Sequence, residues 1–238
     1  MIGYRARLGL ILPSLNTTTE SEFYRCLPEG VTAHFTRMSF EETTPAEYES
    51  MIDDVPAGAS MLSHVKPSAI MFACTSGSLY GGVGYDRTII SKIKANTDIP
   101  ASTTSTAVLD SFAQMGVRKV AVATPYLSWV DDLEKQFFET GGGVEVVNIQ
   151  GLGLGGFDVG EVTPETIYQF AKEQDRPDAD ALFISCMGLR TLEVVPMLER
   201  DLNKPVLSSN QVTLWKLLTL ANVSPKDVKV NFGSLFLS

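Results

Sequence analysis

The sequence predicts an α/β protein built from two similar halves, each a parallel four-stranded sheet flanked by helices. Short apolar runs alternate with segments of helical periodicity, which is typical of parallel sheets covered on both faces. Two of these runs end in a cysteine, Cys74 and Cys186. Their spacing of 112 residues (186 − 74) recurs elsewhere in the chain. Together these observations favour an internal repeat with a site between its two halves.

The repeat extends beyond the cysteines. Residues 7–16 and 119–128 each contain a basic residue, a strand-like run, a proline and a polar turn, again 112 residues apart (119 − 7). Residues 99–104 match 204–209 at about the same spacing. We therefore predict a first half over residues 1–112, onto which the C-terminal segment could pack, and a second half over 113–238. Two ordinary α/β segments without a shared site are the alternative.

Strands and helices alternate along the whole chain. Strands are predicted near 7–12, 31–38, 68–73, 99–102, 118–123, 144–149, 180–185 and 205–208. Helices are predicted over 17–26, 45–64 with an interruption at Pro56 and Gly58, 105–115, 130–138, 164–172 and 189–202. The first of these begins after an Asn-Thr pair, so Thr17 or Thr18 is a candidate N-cap.

Composition excludes several classes of protein. A net charge of −9 leaves no basic stripe for nucleic acid. No apolar run approaches the roughly 20 residues that span a bilayer, and the N-terminus leads directly into a strand, so we predict neither a membrane anchor nor a signal peptide. Three cysteines are too few for a disulfide framework. Free thiols in a reducing cytoplasm are therefore expected, and the absence of CxxC and HxxxH spacing predicts no metal site.

Residues 151–156 read GLGLGG, which matches the GxGxxG pattern of dinucleotide-binding proteins. That fingerprint requires the glycines to open directly into a helix. Here Phe157-Asp158-Val159-Gly160-Glu161 intervenes before the predicted helix. We therefore interpret the segment as a mobile loop that could close over a ligand.

The two matched cysteines are the candidate catalytic residues. Each follows a buried strand, and the carboxyl ends of parallel strands are where ligands bind in α/β sheets. Backbone amides and a helix N-terminus at these positions would favour the thiolate, which is the reactive form. The alternative is that both are buried small hydrophobic residues. Cys26, at the end of the first helix, is expected only to pack.

Asn16 and Tyr126 follow the two equivalent first strands of the halves. An asparagine amide and a tyrosine hydroxyl are suitable donors to a carboxylate or an enediolate oxygen. The alternatives are that Asn16 caps the following helix and that Tyr126 packs in its loop.

At this point the chain resembles the aspartate/glutamate racemase superfamily, and within it the branch of maleate cis–trans isomerases and arylmalonate decarboxylases. The resemblance covers nearly the whole chain. It rests on five segments: 13–20 (PSLNTTTE), 73–76 (ACTS), 105–109 (STAVL), 123–126 (ATPY) and 185–188 (SCMG). It implies two Rossmann-like halves related by pseudo-symmetry, no metal or organic cofactor, a homodimer or larger homo-oligomer, and a small carboxylic acid held between the halves.

The resemblance also implies individual roles. Cys74 corresponds to the nucleophile that adds to the double bond in maleate isomerases, and Cys186 to the thiol that exchanges a proton with the neighbouring carbon. Asn16 and Tyr126 correspond to residues that bind substrate carboxylates. In the decarboxylases the position of Cys74 is a glycine, so two thiols favour an isomerase or a racemase.

The chain departs from the maleate isomerase pattern in two places. Those enzymes usually have an asparagine just before the Asp-Val-Gly loop, where this chain has Gly156 ahead of Phe157. Phe157 could instead face a less polar substituent. The residues after Cys74 are Thr75 and Ser76, as in the decarboxylases.

We therefore predict a cofactor-independent isomerase of a small mono- or dicarboxylic acid, working by cis–trans isomerisation or by racemisation through a thioether or enediolate intermediate. The amides of four residues are expected to stabilise the developing charge: Thr75, Ser76, Met187 and Gly188. One alternative is a decarboxylase of malonate-type acids with Cys186 as the proton donor. Another is a carboxylate-binding protein without catalytic activity.

Overall fold

The computed structural model describes residues 2–237 and contains two parallel sheets of four strands each. Their strand orders are β2-β1-β3-β4 and β6-β5-β7-β8, so the second sheet repeats the topology of the first. The strands are β1 (Ala6–Pro13), β2 (Val31–Met38), β3 (Ala69–Phe72), β4 (Ala101–Thr103), β5 (Lys119–Thr124), β6 (Glu145–Gly151), β7 (Ala181–Ile184) and β8 (Val206–Ser208). The predicted fold class is confirmed.

The 112-residue repeat is visible in the strand bounds. β3 begins at Ala69 and β7 at Ala181, a difference of 112 (181 − 69). Both are central strands whose four residues are all buried. This burial explains why each appears in the sequence as a continuous apolar run instead of an alternating one.

Helices cover the faces of both sheets. They are α1 (Thr19–Cys26), α2 (Pro45–Met51), α3 (Val55–Ser63), α4 (Thr75–Leu79), α5 (Tyr85–Asn96), α6 (Thr104–Met115), α7 (Ser128–Gln136), α8 (Asp158–Glu161), α9 (Pro164–Gln174), α10 (Val194–Leu202) and α11 (Ser209–Leu220). A 3₁₀ turn, Ile52–Asp54, separates α2 from α3. The segment is therefore interrupted, but not at Pro56 and Gly58, because both lie inside α3, where a proline in the first turn is tolerated.

The two halves share one apolar core. A single buried cluster includes Leu10 and Met71 of the first sheet, Ala121 and Ile184 of the second, and Phe232 near the C-terminus. The C-terminal segment also meets α1, because the Lys229 amide donates to the Cys26 carbonyl at 3.0 Å. Cys26 itself is fully buried in this core, as expected for a packing residue. The division into residues 1–112 and 113–238 stays a prediction.

Equivalent helices pack against each other where the halves meet. α6 follows β4 and α11 follows β8, and the hydroxyls of Thr104 and Thr213 lie 2.9 Å apart between them. The Thr75 hydroxyl likewise donates to Ser209 Oγ at 2.8 Å. These buried hydrogen bonds fix the position of the first sheet's strand ends relative to the second's.

The helices differ from the prediction in one starting point and in their number. The helix predicted from residue 189 begins only at Val194. Four helices were not predicted: α4, α5, α8 and α11. α11 is buried on almost all sides and has no polar face to reveal its period, although its capping box, Ser208 with Gln211, was present in the sequence. No helix among residues 2–237 is both long and apolar enough to cross a membrane.

Candidate active site

A cavity with about 550 Å³ of empty space, counted out to its mouth, lies between the carboxyl ends of the two sheets. All eight residues predicted for the site line it: Asn16, Cys74, Thr75, Ser76, Tyr126, Cys186, Met187 and Gly188. The convergence follows from the repeat, because Cys74 and Cys186 each lie two residues beyond a central strand. The topology therefore brings together residues far apart in the chain.

Cys74 lies at the N-terminus of α4 and is 6% exposed. Its sulfur accepts a hydrogen bond from the Gly77 amide at 3.3 Å and contacts the Ser76 hydroxyl at 3.9 Å. Only a glycine permits this approach at position 77. A Cβ there would lie 2.6 Å from Met51 Sδ and 2.9 Å from the Cys74 sulfur.

Cys186 has a backbone conformation that is rare for a residue with a side chain. Its φ is +91°, in the left-handed region, where a non-glycine residue carries strain. The Cys186 amide donates to Ser209 Oγ at 3.0 Å, and the Cys186 sulfur accepts from the Gly188 amide at 3.3 Å. These contacts hold the strained loop and turn the thiol into the cavity. Because α10 begins at Val194, Cys186 does not lie at a helix N-terminus, contrary to the prediction.

Burial favours the protonated form of both thiols in the cavity. Burial raises the pKa of Cys74 to about 12 and that of Cys186 to about 11, and the amide hydrogen bonds to each sulfur offset only part of this effect. The expectation that strand-end amides would favour resting thiolates is therefore wrong. Desolvation of the sulfur outweighs one amide hydrogen bond.

Both the oxygen and the nitrogen of the Asn16 side-chain amide form hydrogen bonds within the protein. Its Oδ1 accepts hydrogen bonds from the Thr18 and Thr19 amides at 3.0 Å each, so it caps the start of α1. Its Nδ2 donates to the Met187 carbonyl at 3.2 Å, across to the other half. The second Nδ2 proton is the one that can reach a ligand in the cavity.

Tyr126 is buried and belongs to the cavity wall next to Cys186. Its hydroxyl lowers the pKa of the Cys186 thiol, which lines the same cavity. Ser185 Oγ lies 3.4 Å from the same hydroxyl. Tyr126 is therefore more than loop packing, because its hydroxyl affects the pKa of a candidate catalytic group.

The sequence analysis missed part of the lining. Tyr48 lies on α2, and its hydroxyl donates to Ser76 Oγ at 2.9 Å. Phe40 and Val159 add apolar surface from opposite halves. In the sequence, Tyr48 fits the apolar period of the helix predicted over 45–64, and nothing in that pattern separates a core residue from one facing a cavity.

The glycine-rich segment contributes Gly156 to the cavity lining and does not open into a dinucleotide-binding helix. Three of its amides, those of Leu152, Gly153 and Leu154, donate to carbonyls of residues 124–126. The Gly156 amide donates to Thr43 Oγ1 at 3.0 Å, which joins the two halves over the cavity. Phe157 is 55% exposed and does not line the cavity, so its predicted contact with a substituent is absent.

Comparison with known proteins gives one family. The model of the arylmalonate decarboxylase family matches residues 8–235. The arylmalonate decarboxylase of Bordetella bronchiseptica is 28% identical over 96% of this chain and 95% of its own. The maleate isomerase of Geobacillus stearothermophilus is also 28% identical, over 96% of each chain.

A solved structure has the same fold over nearly its whole length. A variant of the maleate isomerase Iso from Pseudomonas putida, crystallised with maleate, superposes with a TM-score of 0.90 at 26% identity. The match covers 97% of each chain. The arrangement of the two sheets is therefore shared with proteins of known activity.

Proposed function

Because this chain belongs to the arylmalonate decarboxylase family, we propose that it is a cofactor-independent isomerase of a small carboxylic acid, with Cys74 and Cys186 as its catalytic residues. The observation that carries the proposal is that two thiols from equivalent strand ends line one cavity, each with a backbone amide donating to its sulfur. Relatives with maleate isomerase activity support cis–trans isomerisation as the reaction.

The reaction begins at Cys74. Having released its proton to water, the Cys74 thiolate forms a bond to one alkene carbon, and the π-electron pair moves onto the adjacent carbon and its carboxylate. The Gly77 amide and the Ser76 hydroxyl are placed to stabilise the thiolate before it adds. Because the resting pKa of Cys74 is about 12, this proton loss is a substantial part of the barrier.

Cys186 completes the reaction as a proton donor and acceptor. Its thiol gives a proton to the carbon that received the electron pair, and the carbon–carbon single bond then rotates. When Cys186 takes the proton back, the bond to the Cys74 sulfur breaks and the double bond forms again in the other geometry. A resting thiol with a pKa of about 11 is in the correct protonation state for the donating step.

The remaining lining residues would hold the substrate. A carboxylate between the halves can accept hydrogen bonds from the amides and hydroxyls of Thr75 and Ser76, and from Tyr126 and the free Nδ2 proton of Asn16. Met187 and Gly188 would lie on the same side of the substrate as Asn16, because the Asn16 amide donates a hydrogen bond to the Met187 carbonyl. Phe40 and Val159 favour an acid that also carries apolar surface.

Proton NMR in deuterated water tests the proposal with maleate, substituted maleates and α-substituted acids. Cys74→Ser and Cys186→Ser should each lower turnover by roughly 10²–10⁴-fold. Cys26→Ala, which changes the cysteine outside the cavity, should leave turnover near wild type. Unchanged turnover in either site variant would contradict the two-thiol mechanism.

The same screen separates the decarboxylase alternative, for which the Bordetella bronchiseptica relative is the reason. Release of carbon dioxide from disubstituted malonates that needs Cys186 but survives Cys74→Ser would identify a decarboxylase. Exchange of the α-proton without geometric isomerisation would instead identify a racemase.

A further inference from the structure

Glu134 is a buried acid behind the cavity that the mechanism above does not use. It lies on α7 and is fully buried. Its Oε1 is 2.7 Å from the Ser185 hydroxyl, while its Oε2, within the part of the chain described here, has no hydrogen-bond partner. None of the ion pairs formed among residues 2–237 includes it. A carboxyl without a cation or a second donor is costly to keep charged.

A line of side chains leads from Glu134 to the cavity. The Ser185 hydroxyl lies between Glu134 and the Tyr126 hydroxyl, at 2.7 Å from the first and 3.4 Å from the second. Tyr126 in turn lines the cavity together with Cys186, and its hydroxyl lowers the pKa of the Cys186 thiol. The Ser185 hydroxyl has a single proton, so the direction of the hydrogen bonds along this line depends on whether Glu134 or Tyr126 accepts that proton.

The protonation state of Glu134 decides that direction. A charged Glu134 accepts the Ser185 proton, which leaves the Ser185 oxygen as an acceptor that draws the Tyr126 proton away from the cavity. A neutral Glu134 donates to Ser185, which then donates to Tyr126. The proton of Tyr126 is then available to the Cys186 sulfur or to a substrate carboxylate.

We propose that Glu134, kept as the neutral acid, is a positioning residue that holds the Tyr126 hydroxyl as a donor toward the cavity. The proposal rests on the proposed function of this site, because the donor matters where a thiol or a carboxylate develops negative charge. It assigns a role to a residue that touches neither the substrate nor the reacting sulfur.

The charges around Glu134 agree with a neutral acid. Its pKa is raised to about 8, chiefly by burial; the Ser185 hydrogen bond lowers it, and the charge of Asp131 on the same helix raises it. The other titratable groups facing it are Tyr126 after β5, Cys186 after β7 and Tyr48 on α2. Each of these is neutral near pH 7, because burial raises the pKa of all three.

The test compares the pH profiles of isomerase turnover in wild type and two variants. In wild type, kcat should fall as the pH rises past about 8, where Glu134 ionises. Glu134→Gln keeps a donor to Ser185 at every pH, so it should retain kcat near pH 7 within about 3-fold and lose this alkaline decline. Ser185→Ala breaks the line and should lower kcat on the order of 10-fold without the decline.

Asp131→Asn is the matched control, because Asp131 is a second buried acid on α7 that bonds to Thr124 and not to Ser185. It should keep the alkaline decline, with the midpoint moved to a lower pH because the charge of Asp131 raises the pKa of Glu134. If Glu134→Gln also keeps the decline, or if it lowers kcat at pH 7 as much as Ser185→Ala does, the proposal is wrong.

Infrared spectroscopy separates failure of this proposal from failure of the proposed function. The carbonyl band of a buried carboxylic acid should titrate with a midpoint near 8 in wild type and be missing from Glu134→Gln. A wild type without isomerase activity would overturn the function while this band still reports Glu134. A Glu134 that is already ionised at pH 7 would overturn the positioning role, whatever the activity.

Discussion

At the scale of single residues, the site depends on one backbone amide that donates a hydrogen bond to each cysteine sulfur in a cavity wall that is otherwise shielded from water. Burial raises the pKa of each thiol, whereas the hydrogen bond from a backbone amide lowers it, and the effect of burial is larger. Burial therefore favours the neutral thiols. In the proposed mechanism, this state suits Cys186 as a proton donor and makes activation of Cys74 the demanding step.

The residue at position 156 is predicted to affect how well the protein uses maleate as a substrate. Its φ is +58°, a conformation that asparagine tolerates, and a Cβ would meet only the Glu41 carbonyl, at 3.2 Å. Gly156→Asn would supply the amide that maleate isomerases are expected to have here. We expect kcat/KM for maleate to rise at least ~10-fold, the gain of about one hydrogen bond to a charged group.

Gly153→Asn is the control for this change. Gly153 lies in the same loop with a φ of +74° and open space around it, but it does not line the cavity. Its substitution should leave maleate turnover unchanged. Equal effects of the two variants, measured by steady-state kinetics, would mean that the loop and not the added amide controls the rate.

At the scale of elements, the short helix α4 sets the geometry of Cys74. The fold brings α2 close enough that Met51 fills the space beside Gly77, and this packing leaves room only for a glycine. The amide of Gly77 can then reach the sulfur. The thiol is thus oriented by the packing of two helices as much as by the strand that delivers it.

Gly77→Ala tests this dependence. Its Cβ would lie inside contact distance of both sulfur atoms, so we expect a loss of about 1–3 kcal/mol in the free energy of unfolding, as for overpacked cores. Turnover should fall because Cys74 must move. Urea denaturation and kinetics measure the two effects.

Gly141→Ala, where a Cβ finds its nearest neighbour at 3.5 Å, provides the comparison. It should change stability by no more than about 0.5 kcal/mol, as surface substitutions usually do. Full activity in Gly77→Ala would show that the amide contact to Cys74 is dispensable.

At the scale of the whole molecule, the two sheets form one core, and buried acids lie at the contacts between elements. Glu22 accepts hydrogen bonds from the Thr191 and Leu192 amides at 2.5 and 2.7 Å, and so ties α1 to the loop after Cys186. Burial nevertheless raises its pKa to about 7. Asp131 and Glu134 are raised to about 6 and about 8 for the same reason.

These shifts predict how stability depends on pH. Because the folded-state pKa of each acid lies above its unfolded value, its contribution is fully present below about pH 4 and is lost as the pH rises through the folded value. The melting temperature should therefore fall by several degrees between pH 5 and pH 8. The pKa of His34 is lowered by burial and by Arg7, so this one group makes the folded state more stable as the pH rises and partly offsets the decline.

Calorimetry across this range checks the prediction with Glu134→Gln and Glu22→Gln, each of which should flatten the decline. Glu29→Gln, at an exposed position, should not. A melting temperature that rises from pH 5 to pH 8 would mean that these acids are charged in the folded protein.

The sequence by itself determined the fold class, the repeat and the two thiols that the repeat makes equivalent. Apolar runs such as 69–73 and 181–185 carry that information locally, because a buried parallel strand must be apolar throughout. The sequence pattern pointed to eight site residues, the family resemblance gave roles to four of them, and the structure places all eight around one cavity. Their roles remain the proposal made above.

Only the tertiary structure decided the chemical state of those residues. The pKa values of Cys74 and Cys186 depend on burial by elements far away in the chain, and the contact between Glu134 and Ser185 joins residues 51 positions apart. The segment between Cys186 and α10 likewise depends on residues distant in the chain, because Ser209 accepts from the Cys186 amide and Glu22 accepts from the Thr191 and Leu192 amides. Local pattern specifies which side chains reach a strand end, whereas desolvation and direction of hydrogen bonding depend on everything that surrounds them.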